Sequence, residues 1–240
     1  MSEDRVIHRP SPEQIASSPL TALREHFAGR VAVADDAALQ RFALEQPARF
    51  WDGLATFLGL ELAGEREPVI EGEAVETARF FPNAALSYVA HLLRSAQSAP
   101  DRVAVIAVDE RGERVTLTFG ELDRRVRRVA AALERRGLAR GDRVFGWARN
   151  SAETLLAYLA TLSLGAIWSS AAPDMGNELL LSRAGQTSPK LLFADPSYPY
   201  HGALRDNRPR IAEVVGALGS VTRVVSLGDA FEVGGSVEAE

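Results

Sequence analysis

From residue 100 onward, short apolar runs alternate with stretches of helical length, and this alternation constrains the fold more than any other feature of the sequence. The runs at residues 103–108, 143–148, 166–170, 191–194 and 223–227 have the length of buried strands. The helical stretches between most of them imply right-handed crossover connections, which place the strands parallel in one sheet. The sequence therefore predicts an α/β domain, with a layered parallel sheet and helices on both faces.

Capping residues mark where the helices of this region begin. Thr118 and Glu121 have the spacing of a capping box at the start of the first long helix. Asn150 with Glu153 predicts the start of the next helix, and Asn177 is expected to cap the one after it. These positions fix the boundaries of the predicted turns between strands and helices.

The region before residue 100 has a different pattern. Residues 1–60 carry apolar side chains at three- and four-residue steps without strand signals, which predicts a helical N-terminal extension. Residues 61–99 begin with an acidic, weakly patterned stretch and are interpreted as a linker followed by a distinct motif. Residues 100–240 are the predicted α/β subdomain, which opens with a hairpin over residues 103–118 and is expected to be incomplete at its C-terminus.

Composition argues against several classes of protein. A formal net charge of -5 disfavours nucleic-acid binding, because phosphate neutralisation needs clustered positive charge. The absence of cysteine excludes disulfides and thiolate sites and suits a reducing cytoplasm. No signal peptide and no run of about 18 apolar residues is present, so we expect no membrane segment. Alanine and arginine are abundant and Lys190 is the single lysine, a bias that points to a bacterium with a high-GC genome.

Familiar catalytic motifs are missing from the chain. It has no GxGxxG after the first strand, no Walker-type loop, no GxSxG elbow and no HExxH. The histidines His8, His26, His91 and His201 are too scattered for a local metal site, and structural or surface roles are expected for them. We therefore predict neither a metal site nor a catalytic residue within these residues.

Two segments that follow buried strands are candidates for ligand binding, because ligands of parallel sheets gather at the carboxyl ends of the strands. Residues 169–176 combine small side chains with a glycine, which lets backbone approach a ligand. Residues 195–202 form a proline-rich loop whose tyrosines could flank a planar or thin apolar group. An ordinary strand-to-helix turn and a proline-rich turn without function remain open as interpretations of the two segments.

Several motifs, in the right order, resemble the acetoacetyl-CoA synthetase branch of the adenylate-forming enzymes. Residues 79–93, RFFPNAALSYVAHLL, are similar to the motif with which that family's conserved region opens. They depart from it at Phe80, Asn83, Ser87, Val89 and His91. Residues 117–122, LTFGEL, and 137–143, GLARGDR, resemble motifs that are shared across the whole superfamily and do not select a branch.

The branch itself is indicated by residues 163–170, SLGAIWSS, followed by PDMG at 173–176. This stretch is similar to the family's serine-proline-aspartate-phenylalanine-glycine motif, with changes at Ala172 and Met175. Further on, the tyrosine-proline-tyrosine loop follows in family order, with His201 and Ala203 where asparagine and lysine are usual.

This resemblance implies a two-step reaction. ATP and a carboxylate would give an acyl-adenylate and pyrophosphate, with magnesium accompanying ATP, and CoA would then displace AMP to form a thioester. The family's phosphate loop and catalytic lysine cannot be placed in this sequence and are expected beyond residue 240, and Lys190 is not that lysine. We therefore expect the N-terminal portion of a synthetase, inactive alone. A stand-alone binding or interaction module derived from the family, or an unrelated α/β nucleotide-binding protein, are the alternatives.

The resemblance also implies a partial CoA surface on the two candidate segments. Its residues would be Asp174, Met175, Gly176, Tyr200, Gly202 and Arg205. Gly176 would give backbone access and Arg205 could meet a phosphate, while Ala203 removes an expected positive charge. CoA and a short acyl acid are the implied partners, and an incomplete sheet predicts self-association through exposed apolar faces or an edge strand.

Overall fold

The computed structural model describes residues 8–29, 33–72 and 74–228, and the backbone of residues 237–238. The chain divides into two compact units, Met1–Leu86 and Ser87–Glu240. Their boundary lies inside the segment 61–99 that the sequence predicts as a linker and a following motif.

Helices account for nearly half of the described part of the first unit. They are α1 (Pro12–Ala16), α2 (Pro19–Ala28), α3 (Asp36–Glu45) and α4 (Pro47–Phe57). Asp35 caps α3, because its carboxylate accepts a hydrogen bond from the backbone N–H of Ala38 at 2.8 Å. The buried ring of Phe27 lies 5.2 Å from that of Phe42 and 5.7 Å from that of Phe50, and these aromatic contacts form the centre of a small core.

The remainder of the first unit contains short antiparallel pairs. Strand β1 (Ala63–Gly64) pairs with β4 (Ala84–Ala85), and β2 (Ile70–Glu71) pairs with β3 (Arg79–Phe80). The acidic stretch after residue 60, which carries little pattern in the sequence, is therefore held by backbone pairing to the residues that follow it.

The second unit is an α/β layered structure, as the sequence predicts. Its elements are α5 (Tyr88–Leu93), α6 (Ser95–Ser98), β5 (Val103–Val108), β6 (Arg114–Thr118), α7 (Phe119–Arg135), β7 (Arg143–Trp147), α8 (Ala152–Ser163), β8 (Ile167–Ala171), α9 (Asn177–Thr187), β9 (Leu191–Ala194), β10 (Ser197–Tyr200), β11 (Ala203–Asp206), α10 (Arg208–Ala217), β12 (Arg223–Ser226) and β13 (Val237–Glu238). In the described part of the chain, five of these strands form a parallel sheet in the order β13-β12-β9-β7-β8. The β5–β6 hairpin is a separate antiparallel ribbon.

Helices cover both faces of the sheet. Successive side chains of a strand point to opposite faces, so each strand contributes to two cores. Val144 of β7 joins the core that contains α7 and α8, whereas the neighbouring Phe145 joins the core that contains α9 and α10. Trp147, at the end of β7, is fully buried in the second core. Within the described residues, no helix is long and apolar enough to span a bilayer.

The predicted helix starts are confirmed for one helix and wrong for two. Thr118 and Glu121 form a reciprocal capping box, with bonds of 3.2 and 2.9 Å between each side chain and the other's backbone N–H. Helix α8 is capped by Ser151 instead of Asn150, since the Ser151 hydroxyl accepts a hydrogen bond from the backbone N–H of Thr154 at 3.2 Å. The backbone N–H of Arg149 is bonded to the side chain of Asp195, which follows β9, and the turn into the helix comes after it. Asn177 does not cap α9 either, since Gly176 occupies that position.

The segment 195–202, expected to be a loop, is largely a hairpin. Strands β10 and β11 pair in antiparallel register, and His201 and Gly202 form the two-residue turn between them. Both turn residues have positive φ, +50° and +76°, as a type I′ turn requires. Histidine adopts positive φ more readily than most residues, and so does asparagine, the residue that the family resemblance leads one to expect at position 201, so this departure is compatible with the turn.

Candidate functional site

The segments at the carboxyl ends of β7 and β8, together with β10 and the β5–β6 hairpin, surround one cleft of about 470 Å³. A cleft at this edge is expected for a parallel sheet, and its volume is within the range of small-molecule sites. The cleft is lined by Ala107, Val108, Asp109, Glu110, Arg111, Glu113, Val115, Arg149, Asn150, Ser151, Ala152, Glu153, Pro173, Asp174, Tyr198, Pro199 and Tyr200.

The six residues predicted for the site divide between the cleft and its surroundings. Asp174 and Tyr200 line the cleft. Gly176 is exposed at the N-cap of α9, and Met175 is partly buried against the core beneath that helix. Gly202 and Arg205 are exposed on the β10–β11 hairpin, outside the cleft lining.

Gly176 leaves the backbone of its segment open to approach. A Cβ atom built at this position meets no heavy atom within 4 Å, and the φ of -61° is accessible to any residue. Glycine is therefore not required here by the backbone or by packing. Its effect is to leave uncovered backbone at the start of a helix, where N–H groups are available to a ligand.

Aromatic rings form one side of the cleft. The rings of Tyr198 and Tyr200 meet edge to face with centroids 6.3 Å apart, and His201 meets the ring of Tyr200 at 4.4 Å. Arg205 is paired with Tyr198 across the hairpin. The hairpin therefore presents tyrosine rings toward the cleft and an exposed arginine on the neighbouring strand.

Carboxylates outnumber guanidinium groups around the cleft, with five of the former and two of the latter among its lining residues. At the tip of the β5–β6 hairpin, Arg111 forms ion pairs with Asp109 at 3.0 Å and Glu113 at 3.2 Å. The other cleft arginine, Arg149, is paired with a buried aspartate. The interior of the cleft is therefore net negative, which favours a neutral or cationic group over a phosphate.

That buried aspartate is Asp195, which the sequence does not single out. Its side chain has no exposed surface, and its carboxylate accepts hydrogen bonds from the backbone N–H of Arg149 at 2.6 Å and from Arg149 Nε at 3.3 Å. Burial raises the pKa of Asp195, and the bonds and charge of Arg149 oppose that rise. Arg149 is one-third exposed and lines the cleft, so the pair connects the cleft to the sheet.

Lys190 lies at the opposite edge of the sheet, next to the amino ends of β7 and β9. Its Nζ donates hydrogen bonds to the backbone oxygen of Gly137 at 2.7 Å and to Asp142 Oδ2 at 2.6 Å. The hydrogen bond from Lys190 lowers the pKa of Asp142, and a second bond from the backbone of Ala139 lowers it further. Lys190 thus joins the starts of β7 and β9, at the end of these strands that is remote from the cleft.

Comparison with known proteins supplies the family. The model of the AMP-binding enzyme family matches residues 92–238, which is more than half of the chain. The chain belongs to the AMP-binding enzyme family. The alternative of an unrelated α/β nucleotide-binding protein is therefore wrong.

Relatives of this AMP-binding chain are CoA synthetases. The acetoacetyl-coenzyme A synthetase of Rhizobium meliloti (strain 1021) is 32% identical over 243 residues, covering 99% of the chain and 37% of the relative. The acetoacetyl-CoA synthetase of Mus musculus is 36% identical over 73% of the chain and 26% of its own length. A malonamoyl-CoA synthetase of Penicillium aethiopicum is 32% identical over 78% of the chain and 27% of its own length.

A solved structure agrees with these relationships. The acetoacetyl-CoA synthetase from Streptomyces lividans superposes with a TM-score of 0.90 at 32% identity, over 96% of the chain and 36% of that protein. The resemblance to acetoacetyl-CoA synthetases predicted from the motifs is confirmed. The AMP-binding chain spans between 26% and 37% of the length of these relatives.

The sequence and the described residues lack two features that commonly mark a site for a nucleotide and its metal. The sequence contains no glycine-rich phosphate loop of the Walker type. Within the ranges that the structure describes, no group of three or more histidine, aspartate or glutamate side chains is arranged to hold a metal ion. The described residues therefore offer no ready set of ligands for magnesium.

Proposed function

We propose that this chain contributes part of the CoA-binding surface of an acyl-CoA synthetase. The observation that carries this proposal is the position of Asp174 and Tyr200 on one cleft at the carboxyl edge of the sheet, beside the uncovered backbone of Gly176. The similarity to acetoacetyl-CoA synthetases supports the assignment, and the acid-thiol ligase activity itself belongs to the longer proteins that these residues resemble.

The charges around the cleft indicate which part of CoA would lie inside it and which part would lie outside. The pantetheine arm is neutral and narrow, so it suits a net-negative cleft with tyrosine rings along one side. The phosphates of the nucleotide end suit the exposed Arg205 outside that lining. Ala203, where the family usually has lysine, leaves this outer surface with one positive charge fewer.

The acid that such a synthetase activates is proposed to be short and to carry a carbonyl group at the β position. Acetoacetate and malonamate, the acids named in two of the relatives, share this feature. We further place the protein in the bacterial cytoplasm, in keeping with a chain that has no cysteine and whose described helices do not span a bilayer.

Calorimetric titration of the 240-residue chain with CoA, dephospho-CoA and pantetheine tests this proposal. We expect measurable CoA binding that weakens as salt is raised, and pantetheine binding that is insensitive to salt, because CoA carries phosphates and pantetheine does not. Dephospho-CoA, which keeps the diphosphate but lacks the 3′-phosphate, should show an intermediate dependence on salt. Arg205→Ala should weaken CoA binding and leave pantetheine unchanged. Arg128→Ala removes an arginine from α7 that is also exposed and should change neither.

Failure of the chain to bind CoA at millimolar concentration would contradict the proposal. Pyrophosphate exchange with ATP and acetoacetate separates the CoA surface from catalysis. We expect no exchange by this chain, because the phosphate loop is not in its sequence. Robust exchange would show that other residues of the chain perform the adenylation.

We also propose that the isolated chain associates with itself. Ile106 and Val108 of β5 are more than half exposed, and so is Ile167 of β8, which lies at the edge of the sheet as far as the structure describes it. Exposed apolar side chains on an edge strand favour pairing with another copy. Sedimentation velocity over a range of concentrations should show association that Ile106→Glu with Ile167→Lys abolishes, and a monodisperse monomer would contradict it.

A further inference from the structure

One arginine contacts most of the segment that carries Asp174 and Gly176. Arg210, in the first turn of α10, donates from Nη1 to the backbone oxygen of Pro173 at 3.0 Å and from Nη2 to that of Met175 at 2.5 Å. Its Nε donates to the side-chain oxygen of Asn177 at 2.9 Å. The 173–177 loop, as these residues are called below, is therefore bonded to a single side chain at its beginning, middle and end.

The guanidinium of Arg210 is itself held in place from two sides. It lies 4.9 Å from the ring centroid of the fully buried Trp147, whose Nε1 donates to the backbone oxygen of Ala172 at 3.1 Å. On the other side, Nη1 donates to the side-chain oxygen of the buried Asn207 at 3.2 Å, and the amide of Asn207 donates to the backbone oxygen of Asp195. The arginine thus joins the loop to strand β7 and to the buried Asp195.

Asn177 is fixed by the same arrangement. Its side-chain oxygen accepts from Arg210, and its Nδ2 donates to Glu213 of α10 at 2.6 Å. Asn177 does not cap α9 because the oxygen and the nitrogen of its side-chain amide are both bonded to residues of α10.

An arginine is chemically suited to this task where other side chains are not. It offers five N–H donors in a rigid plane, so one side chain can satisfy carbonyls that point to a common centre. A lysine places its charge at one point and cannot meet three separated acceptors with fixed geometry. Without Arg210, the partly buried carbonyls of the loop would lose partners, and the loop would relax to find others.

We infer that Arg210 is a positioning residue for the candidate CoA site. It sets the shape of the 173–177 loop, and through the loop it sets the placement of Asp174 and the open backbone of Gly176. Arg210 is not among the residues that line the cleft, so its effect on a ligand is exerted through the loop. This inference rests on the proposed function for the ligand, while the ordering of the loop is independent of it.

Three variants of the 240-residue chain test the inference, with CoA affinity measured by calorimetry and amide hydrogen exchange measured by mass spectrometry. Arg210→Met should weaken CoA binding about tenfold or more, as expected when several bonds that order a site are lost. Peptides that cover the loop should exchange about tenfold faster or more. Arg210→Lys should resemble Arg210→Met more than the parent chain, because charge without the planar fork does not restore the bonds.

Arg143→Met is the matched control. Arg143 also binds a turn through its guanidinium, with bonds of 3.0 Å to the backbone oxygen of Thr187 and 3.1 Å to that of Ser188, but it does so at the opposite end of the sheet. Its loss should speed exchange around those two residues and leave CoA affinity within about twofold, since the bonds to the 173–177 loop remain.

The outcomes separate the inference from the function on which it rests. If the parent chain does not bind CoA, the proposed function fails, and faster exchange of the loop in Arg210→Met alone still supports the ordering role. Unchanged loop exchange in both Arg210 variants would overturn the inference, and so would full CoA affinity. If Arg210→Met does not fold, Arg210→Lys decides by the same two readings.

Discussion

An ion pair between an aspartate and a basic residue joins strands β7 and β9 at each end. The two ion pairs differ in how far the aspartate is exposed to solvent. At the amino end, Asp142 and Lys190 pair at 2.6 Å with side chains that are 22% and 38% exposed. At the carboxyl end, Asp195 and Arg149 pair at 3.3 Å, and the aspartate is completely buried. The same pair of neighbouring strands is thus closed by a solvated ion pair on one side and by a buried charge on the other.

We propose that the Asp142–Lys190 pair serves the fold and that the Asp195–Arg149 pair serves the candidate site. The hydrogen bond from Lys190 lowers the pKa of Asp142, so its ionised form is favoured in the folded chain. Burial raises the pKa of Asp195, so its ionised form is disfavoured there. A charge kept in an unfavourable place, with its partner reaching into the cleft, is typical of a functional site. The amino end shows no such cost.

The largest effect is expected from removing the arginine of the buried pair. Arg149→Met removes the guanidinium from the buried carboxylate of Asp195 and leaves it the backbone N–H of residue 149, so it should lower the free energy of unfolding by about 3 kcal/mol. Lys190→Met breaks the solvated pair and should cost only about 0.5–1 kcal/mol. Urea denaturation near neutral pH measures both, and equal losses would remove the distinction between the two ends.

A smaller contrast is expected between glycines at the two ends. Gly165, at the amino end, has a φ of +70°, and a Cβ there would lie 3.0 Å from Arg140 Cγ. Gly165→Ala should therefore destabilise the chain by about 1–2 kcal/mol. Gly176→Ala should change stability by less than about 0.5 kcal/mol, because nothing lies within 4 Å of its Cβ position.

The same pair of variants distinguishes fold from site through binding. Gly176→Ala should weaken CoA binding by covering open backbone, while Gly165→Ala should leave the affinity unchanged at temperatures where the variant is folded. A stable Gly176→Ala variant with full CoA affinity would remove the functional reason for glycine at this position.

The smallest effects are the opposite pH dependences of the two aspartates. Asp142 has a lowered pKa, so its contribution to stability is complete above the ordinary value of 3.8 and is lost as pH falls through the lower native pKa. Asp195 has a raised pKa, so between 3.8 and its native pKa stability falls as pH rises. The free energy of unfolding is measured between pH 3 and 7. In Asp142→Asn the loss of stability at falling pH should disappear, and in Asp195→Asn the loss of stability at rising pH should disappear. Slopes of the same sign for both residues would contradict the account.

Sequence periodicity was sufficient for the regular elements of the α/β unit. The runs at 103–108 and 191–194 are strands over the predicted residues, and the capping box at Thr118 begins α7 as expected. These features depend on neighbours within a few residues, so they are visible in a linear sequence. The β10–β11 hairpin was missed because proline interrupts its first strand and histidine replaces the asparagine that usually announces such a turn.

The candidate site was only partly visible for a related reason. Its glycine and tyrosine residues follow strands and can be recognised by position. Asp195 is separated from Arg149 by 46 residues, and Arg210 is separated from Pro173 by 37. Such pairs arise only when the sheet brings strand ends together, and no local pattern encodes them. Apart from the motifs, the sequence therefore locates the loops of the site but not the charges that hold them.

We propose above all that the carboxyl end of the sheet receives CoA and that the amino end does not. Titration of the ¹⁵N-labelled chain with CoA, followed by NMR, tests it residue by residue. We predict saturable shifts for the amides of residues 174–176 and 200–205, with the amides of residues 139–143 and 187–190 unchanged. Shifts confined to the amino end, or no saturable shift at either end, would contradict the claim.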